Sequence, residues 1–395
     1  METTDAFLDL ACRDCGGRHA PEDADGRCPD CGGVLDAEYD LDAVEAASLA
    51  SDAGPASSMW DYDALLPFSR GHAVSLGEGG TPLVDCQQLA GELGVASLLV
   101  KDEGQNPTGS TYDRGTSLAL TAALVAGETD VALPSAGNDG HAAAAYAARA
   151  GLGAHVFVPS RAGFVQKAMI NVHGGDMTVV EGRLPEASAR FASALAEHDE
   201  WCSIAPFETP YRHEGAKTVL YEVVAALGGA PDAVVFPAGE GAGLVAAYKA
   251  ATELERLGVV DERPRLYAAQ ASGCAPIVEA VESGGPVESW DVPDTICGDI
   301  EVPDPAGGDW AVEAVRETGG GAVATDDPDV LESAVTMAEH EGVSSSPSGV
   351  AAASGAWALA ERGEFDANET VVVVNAATGT KTADVLRSHL MGKGV

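Results

Sequence analysis

The chain has 395 residues, 46% of them hydrophobic, so it is long enough for more than one domain and a large buried core. It carries 62 acidic and 22 basic side chains, which give a formal net charge of -40. This charge argues against nucleic acid or an anionic membrane as a partner, because binding to phosphate groups requires basic patches. The carboxylates are spread along the whole sequence, which favours a solvated acidic surface suited to a salt-rich cytoplasm, as in halophilic archaea.

The sequence predicts a cytoplasmic protein. Its first residues lack the positive and apolar regions of a secretion signal, and no apolar run is long enough to span a bilayer. Four of the eight cysteines are scattered, which suits a reducing compartment better than a disulfide framework.

The other four cysteines form two Cys-x-x-Cys pairs, each followed by two glycines. Twelve residues separate the pair Cys12 and Cys15 from the pair Cys28 and Cys31. Two such pairs can place four thiolates around one tetrahedral zinc ion, and four ordinary buried cysteines would not explain the doubled spacing. Because thiolates fill all four positions, we predict a structural zinc ribbon, in which the metal holds a segment too small to fold around its own core.

The rest of the sequence alternates short apolar runs with alanine-rich stretches of helical length. Residues 40–56 favour a helix-prone linker. Strands are predicted at 98–100, 131–133, 155–158, 233–237 and 371–374, and an amphipathic helix at 220–227. This alternation predicts an α/β protein with two open twisted α/β domains and a site in a crevice between them. We divide the chain into a zinc ribbon at 1–38, a linker with an N-terminal helical segment at 39–75, a first, smaller α/β domain at 76–212 and a second at 213–395.

Five further motifs accompany the ribbon. They are Gly-Glu-Gly-Gly-Thr-Pro-Leu at 77–83, Val-Lys-Asp-Glu-Gly-Gln-Asn-Pro-Thr-Gly-Ser at 100–110, Ser-Ala-Gly-Asn at 135–138, Glu-Gly-Ala-Lys-Thr at 214–218 and Pro-Ser-Gly at 347–349. As an ordered set they resemble threonine synthase over nearly the whole chain. The resemblance implies the fold type II architecture of the tryptophan-synthase-beta superfamily, with pyridoxal phosphate (PLP) as the family cofactor and a homodimer as the family assembly.

The resemblance breaks at the residue that carries the family's chemistry. PLP enzymes bind the cofactor aldehyde as an imine with a lysine amine. In the family this lysine follows Gly-Ser by two positions and precedes Asp-Arg-Gly, whereas residues 109–115 here read Gly-Ser-Thr-Tyr-Asp-Arg-Gly. The catalytic position therefore falls on Tyr112, and a phenol cannot form an imine. Filling of the vacated volume explains this tyrosine better than an acid–base role, because a free phenol titrates near pH ~10.

Two other positions that the resemblance assigns to the cofactor also differ. A loop suited to a phosphate group precedes a helix predicted from Leu244, and it consists of Gly239, Glu240, Gly241, Ala242 and Gly243. The family usually has asparagine at Glu240, whose carboxylate would repel a phosphate unless it turns away; a surface acid is an equal interpretation. The family's contact to the pyridine nitrogen falls on Ala376, which has no side-chain donor, and Asn375 or Thr378 are candidate substitutes. Ser346 stands where the family often has a glutamate.

One cofactor residue is retained. By resemblance, Asn138 contacts the ring oxygen of the cofactor, and it is also a favoured N-cap for the alanine-rich helix predicted from about Gly140. We expect His141, beyond this cap, to face solvent. The residues that the resemblance assigns to the substrate carboxylate are Ser135, Ala136 and Gly137.

Three functions remain open from the sequence. The preferred one is a degenerate paralogue with impaired or absent PLP catalysis, which binds an amino acid or phosphorylated amino acid or regulates an active relative with which it pairs. The second is an active threonine synthase that converts O-phosphohomoserine and water to threonine and phosphate; it would require one of the six lysines to replace the missing one. The third is PLP-independent chemistry with Tyr112 as an acid or base.

Overall fold

A computed structural model of the protein describes residues 1–24, 26–45, 49 and 56–393. The chain divides into two compact units that interleave along the sequence. Unit 1 comprises Met1–Gly80, Tyr112–Ala225 and Thr252–Asp261, and unit 2 comprises Thr81–Thr111, Ala226–Ala251 and Glu262–Val395. The four-segment division stays a prediction, and much of the predicted linker at 40–56 lies outside the described residues. Every helix in the described part of the chain is too short or too polar to cross a membrane.

Unit 1 begins with a small antiparallel sheet of three strands. These are β1 (Phe7–Cys12), β2 (Arg18–His19) and β3 (Leu35–Tyr39). Strand β1 lies in the middle and pairs with both neighbours. Short 3-10 helices at Met59–Leu65 and Arg70–His72 follow further along the chain.

The larger part of unit 1 is a parallel α/β sheet. Its strands are β6 (Asp130–Pro134), β7 (Gly153–Pro159), β8 (Asp176–Val180) and β9 (Trp201–Ser203), and its helices are α2 (Tyr112–Ala126), α3 (Asn138–Ala150), α4 (Phe164–Val172), α5 (Leu184–Leu195), α6 (Tyr211–Ala216) and α7 (Thr218–Leu227). The strand order is β8-β7-β6-β9. Apolar residues of β6, β7, α2 and α3 pack into one buried core, as continuous apolar runs require in a sheet covered by helices.

Unit 2 is built on a second sheet. Its strands are β4 (Leu83–Asp85), β5 (Ser97–Asp102), β10 (Ala233–Pro237), β11 (Arg265–Ala271), β12 (Ala322–Thr325) and β13 (Thr370–Asn375), and its helices are α1 (Gln87–Leu93), α8 (Ala242–Arg256), α9 (Pro276–Ser283), α10 (Gly308–Glu317), α11 (Asp327–Glu341), α12 (Pro347–Glu361) and α13 (Ala383–Gly392). The order is β12-β11-β10-β13-β5-β4, and only the edge strand β4 runs antiparallel to its neighbour.

The predicted elements are confirmed, with two helix starts placed too late. All five predicted strands form, and the amphipathic stretch at 220–227 lies in α7. Helix α8 begins at Ala242, two residues before the predicted Leu244, and α3 begins at Asn138. Each helix starts at the residue directly after a glycine, Gly137 for α3 and Gly241 for α8. The loop before each helix is therefore two residues shorter than the sequence pattern predicted.

Glu78, from the motif at 77–83, is the polar centre of unit 1. It is fully buried, and one carboxylate oxygen accepts hydrogen bonds from Trp60 Nε1 at 2.7 Å and Ser117 Oγ at 2.6 Å. The other oxygen accepts from the backbone N–H of Leu76 at 2.9 Å and from Tyr146 Oη at 2.9 Å. A buried carboxylate is tolerated when it is hydrogen-bonded in this way. Glu78 thus joins the segment that ends at Gly80 to both α2 and α3.

Helices α2 and α6 touch through two glycines. A Cβ on Gly115 would stand 2.6 Å from the carbonyl oxygen of Arg212, and a Cβ on Gly215 would collide with the carbonyl oxygen of Arg114. Arg114 is fully buried and forms a bidentate ion pair with Glu222 on α7, at 2.6 and 2.8 Å. The Asp-Arg-Gly and Glu-Gly-Ala-Lys-Thr motifs are therefore partners in packing.

We expect Gly215→Ala to destabilise the protein by about 1–3 kcal/mol, because the added methyl group meets main-chain atoms that cannot move independently of their helix. The measurement is the midpoint of urea unfolding in concentrated potassium chloride. Gly91→Ala is the matched control, because Gly91 is also inside a helix but has open space at its Cβ position. Equal midpoints for the two variants would contradict the close α2–α6 contact.

Candidate functional site

The four cysteines of the two Cys-x-x-Cys pairs form one cluster in unit 1. Their sulfur atoms all lie within 4.8 Å of one another, with Cys12 Sγ 3.5 Å from Cys31 Sγ and Cys15 Sγ 3.7 Å from Cys28 Sγ. A tetrahedral zinc ion with bonds of ~2.3 Å requires sulfur atoms about 3.8 Å apart. The cluster therefore has the donor atoms and the spacing of a zinc site.

The glycines after each pair have separate roles. Gly16 and Gly32 have φ angles of 73° and 75°, a left-handed conformation that ends each turn. Gly33 gives room to the cysteine cluster, since a Cβ there would stand 2.8 Å from Cys12 Sγ. Burial acts to raise the pKa of Cys12, but backbone N–H groups and neighbouring thiols outweigh it and lower the pKa to about 7. At Cys31 the backbone N–H of Gly33 acts to lower the pKa, but the neighbouring thiols outweigh it and raise the pKa to about 12. Cys12 is therefore the first of this pair to form the thiolate that binds metal.

The ribbon contacts the segment that leads into α6. Arg27 forms an ion pair with Glu208 at 2.8 Å, and Asp36 on β3 lies 3.0 Å from Nε2 of His213. Tyr39, at the end of β3, donates a hydrogen bond of 2.6 Å to Glu214. The position of α6 thus depends on the ribbon.

Tyr112 is the first residue of α2 and is half-buried. The guanidinium carbon of Arg212, on α6, lies 6.0 Å from the centroid of its ring. Arg212 donates to Thr116 Oγ1 at 2.9 Å and forms a short ion pair with Asp139. Burial raises the pKa of Asp139, and Arg212 opposes that effect. The predicted catalytic position therefore lies beside a buried, paired arginine.

The substrate-binding loop predicted at Ser135, Ala136 and Gly137 leads directly into α3. The hydroxyl group of Ser135 accepts hydrogen bonds from the N–H groups of Gly137 at 3.0 Å and Gly140 at 2.7 Å. The predicted N-cap role of Asn138 is wrong, because Gly137 is the N-cap and Asn138 is already helical. Ser135 satisfies these N–H groups in its place.

The prediction for His141 is also wrong. Its side chain is only 6% exposed, and its ring stacks on that of His173 with centroids 5.3 Å apart. The cause is that the first turn of α3 is buried throughout, which the alanine-rich sequence around it did not reveal.

The predicted phosphate loop follows β10 in unit 2, where Gly239, Glu240 and Gly241 precede Ala242 and Gly243 of α8. The carboxylate of Glu240 accepts a hydrogen bond from the backbone N–H of Ala306 at 3.0 Å. The main-chain carbonyl oxygen of Glu240 accepts a second one from the N–H of Gly307 at 3.1 Å. Glu240 is therefore committed to the segment before α10. This contact is a structural role that neither interpretation of the sequence foresaw.

Main-chain and side-chain hydrogen bonds fix the residues at the end of β13. The carbonyl oxygen of Ala376 accepts from Thr111 N–H at 2.8 Å. Asn375 donates to Asp102 Oδ1 at 2.7 Å, and Ser345 Oγ lies 2.5 Å from its amide oxygen, so its side chain is buried within the loop network. Ser346 Oγ accepts from Gly349 N–H at 3.0 Å and caps α12. Asn375 is thus engaged elsewhere and is a poor substitute for a ring contact.

The six lysines are the candidates for a replacement amine, and several of their amines are bound to carbonyl oxygens or carboxylates. Lys101 Nζ donates to the carbonyl oxygen of Thr81 at 2.7 Å, and Lys167 Nζ donates to that of Ser160 at 2.8 Å. Lys217 is fully buried and pairs with Glu214 at 2.8 Å and Glu253 at 2.9 Å. Lys393 pairs with Glu332, Lys249 lies half-buried on α8, and Lys381 is buried with its Cε next to Gly109.

Sequence reasoning missed the residues around Tyr112 and the ribbon contact. Arg212 and His213 immediately precede the motif at 214–218, so their position in the chain was a usable signal. Their partners Asp139 and Asp36 were not recognisable, because each is one of 62 acidic residues and the pairing is set by the packing of separate elements.

Comparison with known proteins assigns the chain to a family. The family described as pyridoxal-phosphate dependent enzyme matches residues 74–376. The threonine synthase of Methanosarcina acetivorans is 33% identical over 368 residues, which cover 92% of this chain and 90% of that protein. The threonine synthase of Methanocaldococcus jannaschii is 32% identical over 378 residues, 94% of this chain and 93% of that protein.

The chain belongs to the pyridoxal-phosphate dependent enzyme family. Within it, the chain is a homologue of threonine synthase. Among solved structures, threonine deaminase isoform 2 of Solanum lycopersicum superposes with a TM-score of 0.65 at 21% identity, covering 77% of this chain and 86% of that one. Diaminopropionate ammonia lyase of Escherichia coli gives a TM-score of 0.69 at 17% identity, covering 80% and 88%. The predicted fold type II class, with two α/β sheets after a small cysteine-bearing sheet, is confirmed.

We expect the purified protein to contain one zinc ion per chain. Cys15→Ser should lose the metal, because three thiolates and a hydroxyl group do not replace a four-thiolate site. The measurement is zinc released by a mercurial reagent and quantified with a colorimetric chelator. Cys202→Ser is the control, because Cys202 is a half-buried cysteine outside the cluster. Equal zinc contents in the two variants would rule out the ribbon as the zinc site.

Proposed function

We propose that this chain is a degenerate threonine synthase homologue, which binds a small molecule or regulates a partner but does not catalyse PLP chemistry. The observation that carries the proposal is Tyr112 at the start of α2, between the Gly-Ser and Asp-Arg-Gly segments that flank the family's lysine. A phenol cannot form the imine on which PLP catalysis depends.

The other residues implied for the cofactor support the same conclusion. Ala376 has no side-chain donor for the pyridine nitrogen, and the side chain of Asn375 is hydrogen-bonded to Asp102 and Ser345. Lys101 and Lys217 are buried and engaged by a carbonyl oxygen and two carboxylates, which makes them poor replacements for the missing amine. The residues present therefore do not fit PLP as a catalytic cofactor.

The retained flanks are explained by packing, without catalysis. Arg114 is buried in an ion pair with Glu222, and Gly115 is required by the contact between α2 and α6. Selection for a stable fold would preserve these residues in a chain that has lost its chemistry. Tyr112, the first residue of the same helix, lies half-buried beside Arg212.

The ligand proposed for this chain is an amino acid or phosphorylated amino acid. The glycine-rich loop at 239–243 leads into α8 and offers backbone N–H groups to an anion, whereas in the loop at 135–138 the N–H groups of Gly137 and Gly140 already donate to Ser135. The carboxylate of Glu240 is held by Ala306 N–H, which agrees with the condition that it turn away from a bound phosphate.

The alternative is an active threonine synthase that converts O-phosphohomoserine to threonine and phosphate. Identity of 32–33% to two threonine synthases over more than nine-tenths of this chain favours it. This alternative requires PLP to form its imine with a lysine at a position other than 112. For both functions we propose that the chain forms a homodimer or pairs with an active relative.

We expect the wild-type protein mixed with PLP in concentrated potassium chloride to show no visible imine band and no lysine adduct after borohydride reduction. Tyr112→Lys should gain a band, because it restores an amine at the start of α2. The measurements are the absorption spectrum and mass spectrometry of peptides after reduction. Tyr112→Phe is the control, since it removes the hydroxyl group without adding an amine.

A reduced adduct on a specific lysine of the wild-type protein would overturn the degenerate assignment and identify the replacement amine. Absence of a band in both wild type and Tyr112→Lys, with Tyr112→Lys folded by circular dichroism, would place the loss in the cofactor pocket as a whole.

A further inference from the structure

A second group of potential metal ligands lies in unit 1, separate from the four cysteines. It consists of Asp36 on β3 and the neighbouring residues His213 and Glu214 on α6, and one ligand atom of each lies within 4.8 Å of the other two. Nε2 of His213 is 3.0 Å from Oδ1 of Asp36 and 4.0 Å from Oε1 of Glu214. One ring nitrogen therefore faces two carboxylates that come from different elements.

We propose that Asp36, His213 and Glu214 form a binding site for a first-row divalent cation at the contact between β3 and α6. Imidazole nitrogen and carboxylate oxygen are the ligands that such ions take when thiolates are absent. Metal bonds of about 2.0–2.2 Å place neighbouring ligand atoms roughly 3.0–3.5 Å apart. The separations of 3.0 and 4.0 Å bracket that range, so a small movement of Glu214 completes the set.

Surrounding contacts orient two of the three ligands. Oε2 of Glu214 is held by Tyr39 Oη at 2.6 Å and by Lys217 Nζ at 2.8 Å, which turns Oε1 toward His213. The ring of Phe207 stacks on the imidazole of His213, with centroids 5.9 Å apart and planes 17° apart. Contacts of this kind hold metal ligands in place before the ion binds.

The position of Phe207 is costly for the backbone. Its φ angle is 61°, and it is the sole non-glycine residue with positive φ among the described residues. A bulky side chain in this conformation persists only where the surroundings enforce it. The result is a ring held against His213.

A bound ion at this site has a structural consequence. His213 and Glu214 are buried, and Asp36, with its side chain 14% exposed, is the ligand on the solvent side of the site. A bound ion would join the ribbon to α6 by metal bonds in place of one hydrogen bond. Since Arg212 precedes His213 and lies over Tyr112, the ion would also hold the surroundings of Tyr112.

The test uses Mn²⁺ as the probe on the full chain with zinc already in the ribbon. Manganese prefers oxygen and nitrogen ligands and competes poorly for four thiolates. Concentrated potassium chloride suppresses diffuse binding of Mn²⁺ to the acidic surface. We expect one saturable Mn²⁺ per chain by electron paramagnetic resonance, with spin-echo modulation from one imidazole nitrogen.

Two variants and one control assign the site. His213→Gln and Asp36→Asn should each weaken Mn²⁺ binding by at least roughly tenfold. The zinc content of each should stay at the wild-type level, which reports that the ribbon is folded, and circular dichroism checks the rest of the chain. His155→Gln is the matched control, because His155 also lies near two carboxylates, Asp130 at 3.1 Å and Asp176 at 3.4 Å, but through opposite ring nitrogens that cannot share one ion.

Three results would overturn the proposal. They are no stoichiometric Mn²⁺ in the wild-type protein, bound Mn²⁺ without nitrogen modulation, and an equal loss of binding in His155→Gln. In the first case the pair of His213 and Asp36 is a hydrogen bond alone. The wild-type spectrum decides the first two outcomes even if a variant fails to fold.

Discussion

Helices α2 and α6 approach so closely that a side chain larger than hydrogen at Gly115 or Gly215 would strike main-chain atoms of the other helix. This contact sets the geometry of unit 1 around Tyr112. Arg212 lies beside the tyrosine ring, and the neighbouring Arg114 is buried in the core, where it pairs with Glu222. A buried ion pair of this kind is costly to break, because either partner alone would be an uncompensated charge.

A motif shared with threonine synthase can be retained for packing or for catalysis, and the contact between α2 and α6 is a reason of the first kind. Residues 113–115 and 214–218 carry a resemblance to threonine synthase, yet their side chains make ion pairs, hydrogen bonds and close helix contacts within unit 1. Their presence reports that the fold is kept. PLP chemistry depends on a lysine amine, which these packing contacts do not supply, so the retained motifs bear on the fold and not on the activity.

Helix α6 also connects the ribbon to this region. Arg212 faces Asp139 and Thr116, whereas His213 and Glu214 face Asp36 and Tyr39 at the end of the ribbon. The small sheet that carries the four clustered cysteines is thus connected to the neighbours of Tyr112 through one short helix. The ribbon therefore contacts the helix that carries Arg212, the neighbour of Tyr112.

Patterns with a fixed local cause were predictable from the sequence. The doubled Cys-x-x-Cys spacing predicted the cluster of Cys12, Cys15, Cys28 and Cys31, and apolar runs predicted every strand named in advance, because thiolate spacing and burial act over a few residues. The surroundings of individual polar residues were not predictable. His141 is buried, Glu240 is bonded to Ala306, and Asp36 meets His213 across 177 positions of sequence. These contacts depend on which distant elements pack together, and in a chain with 62 acidic residues the local sequence does not single out the carboxylate that will find a partner.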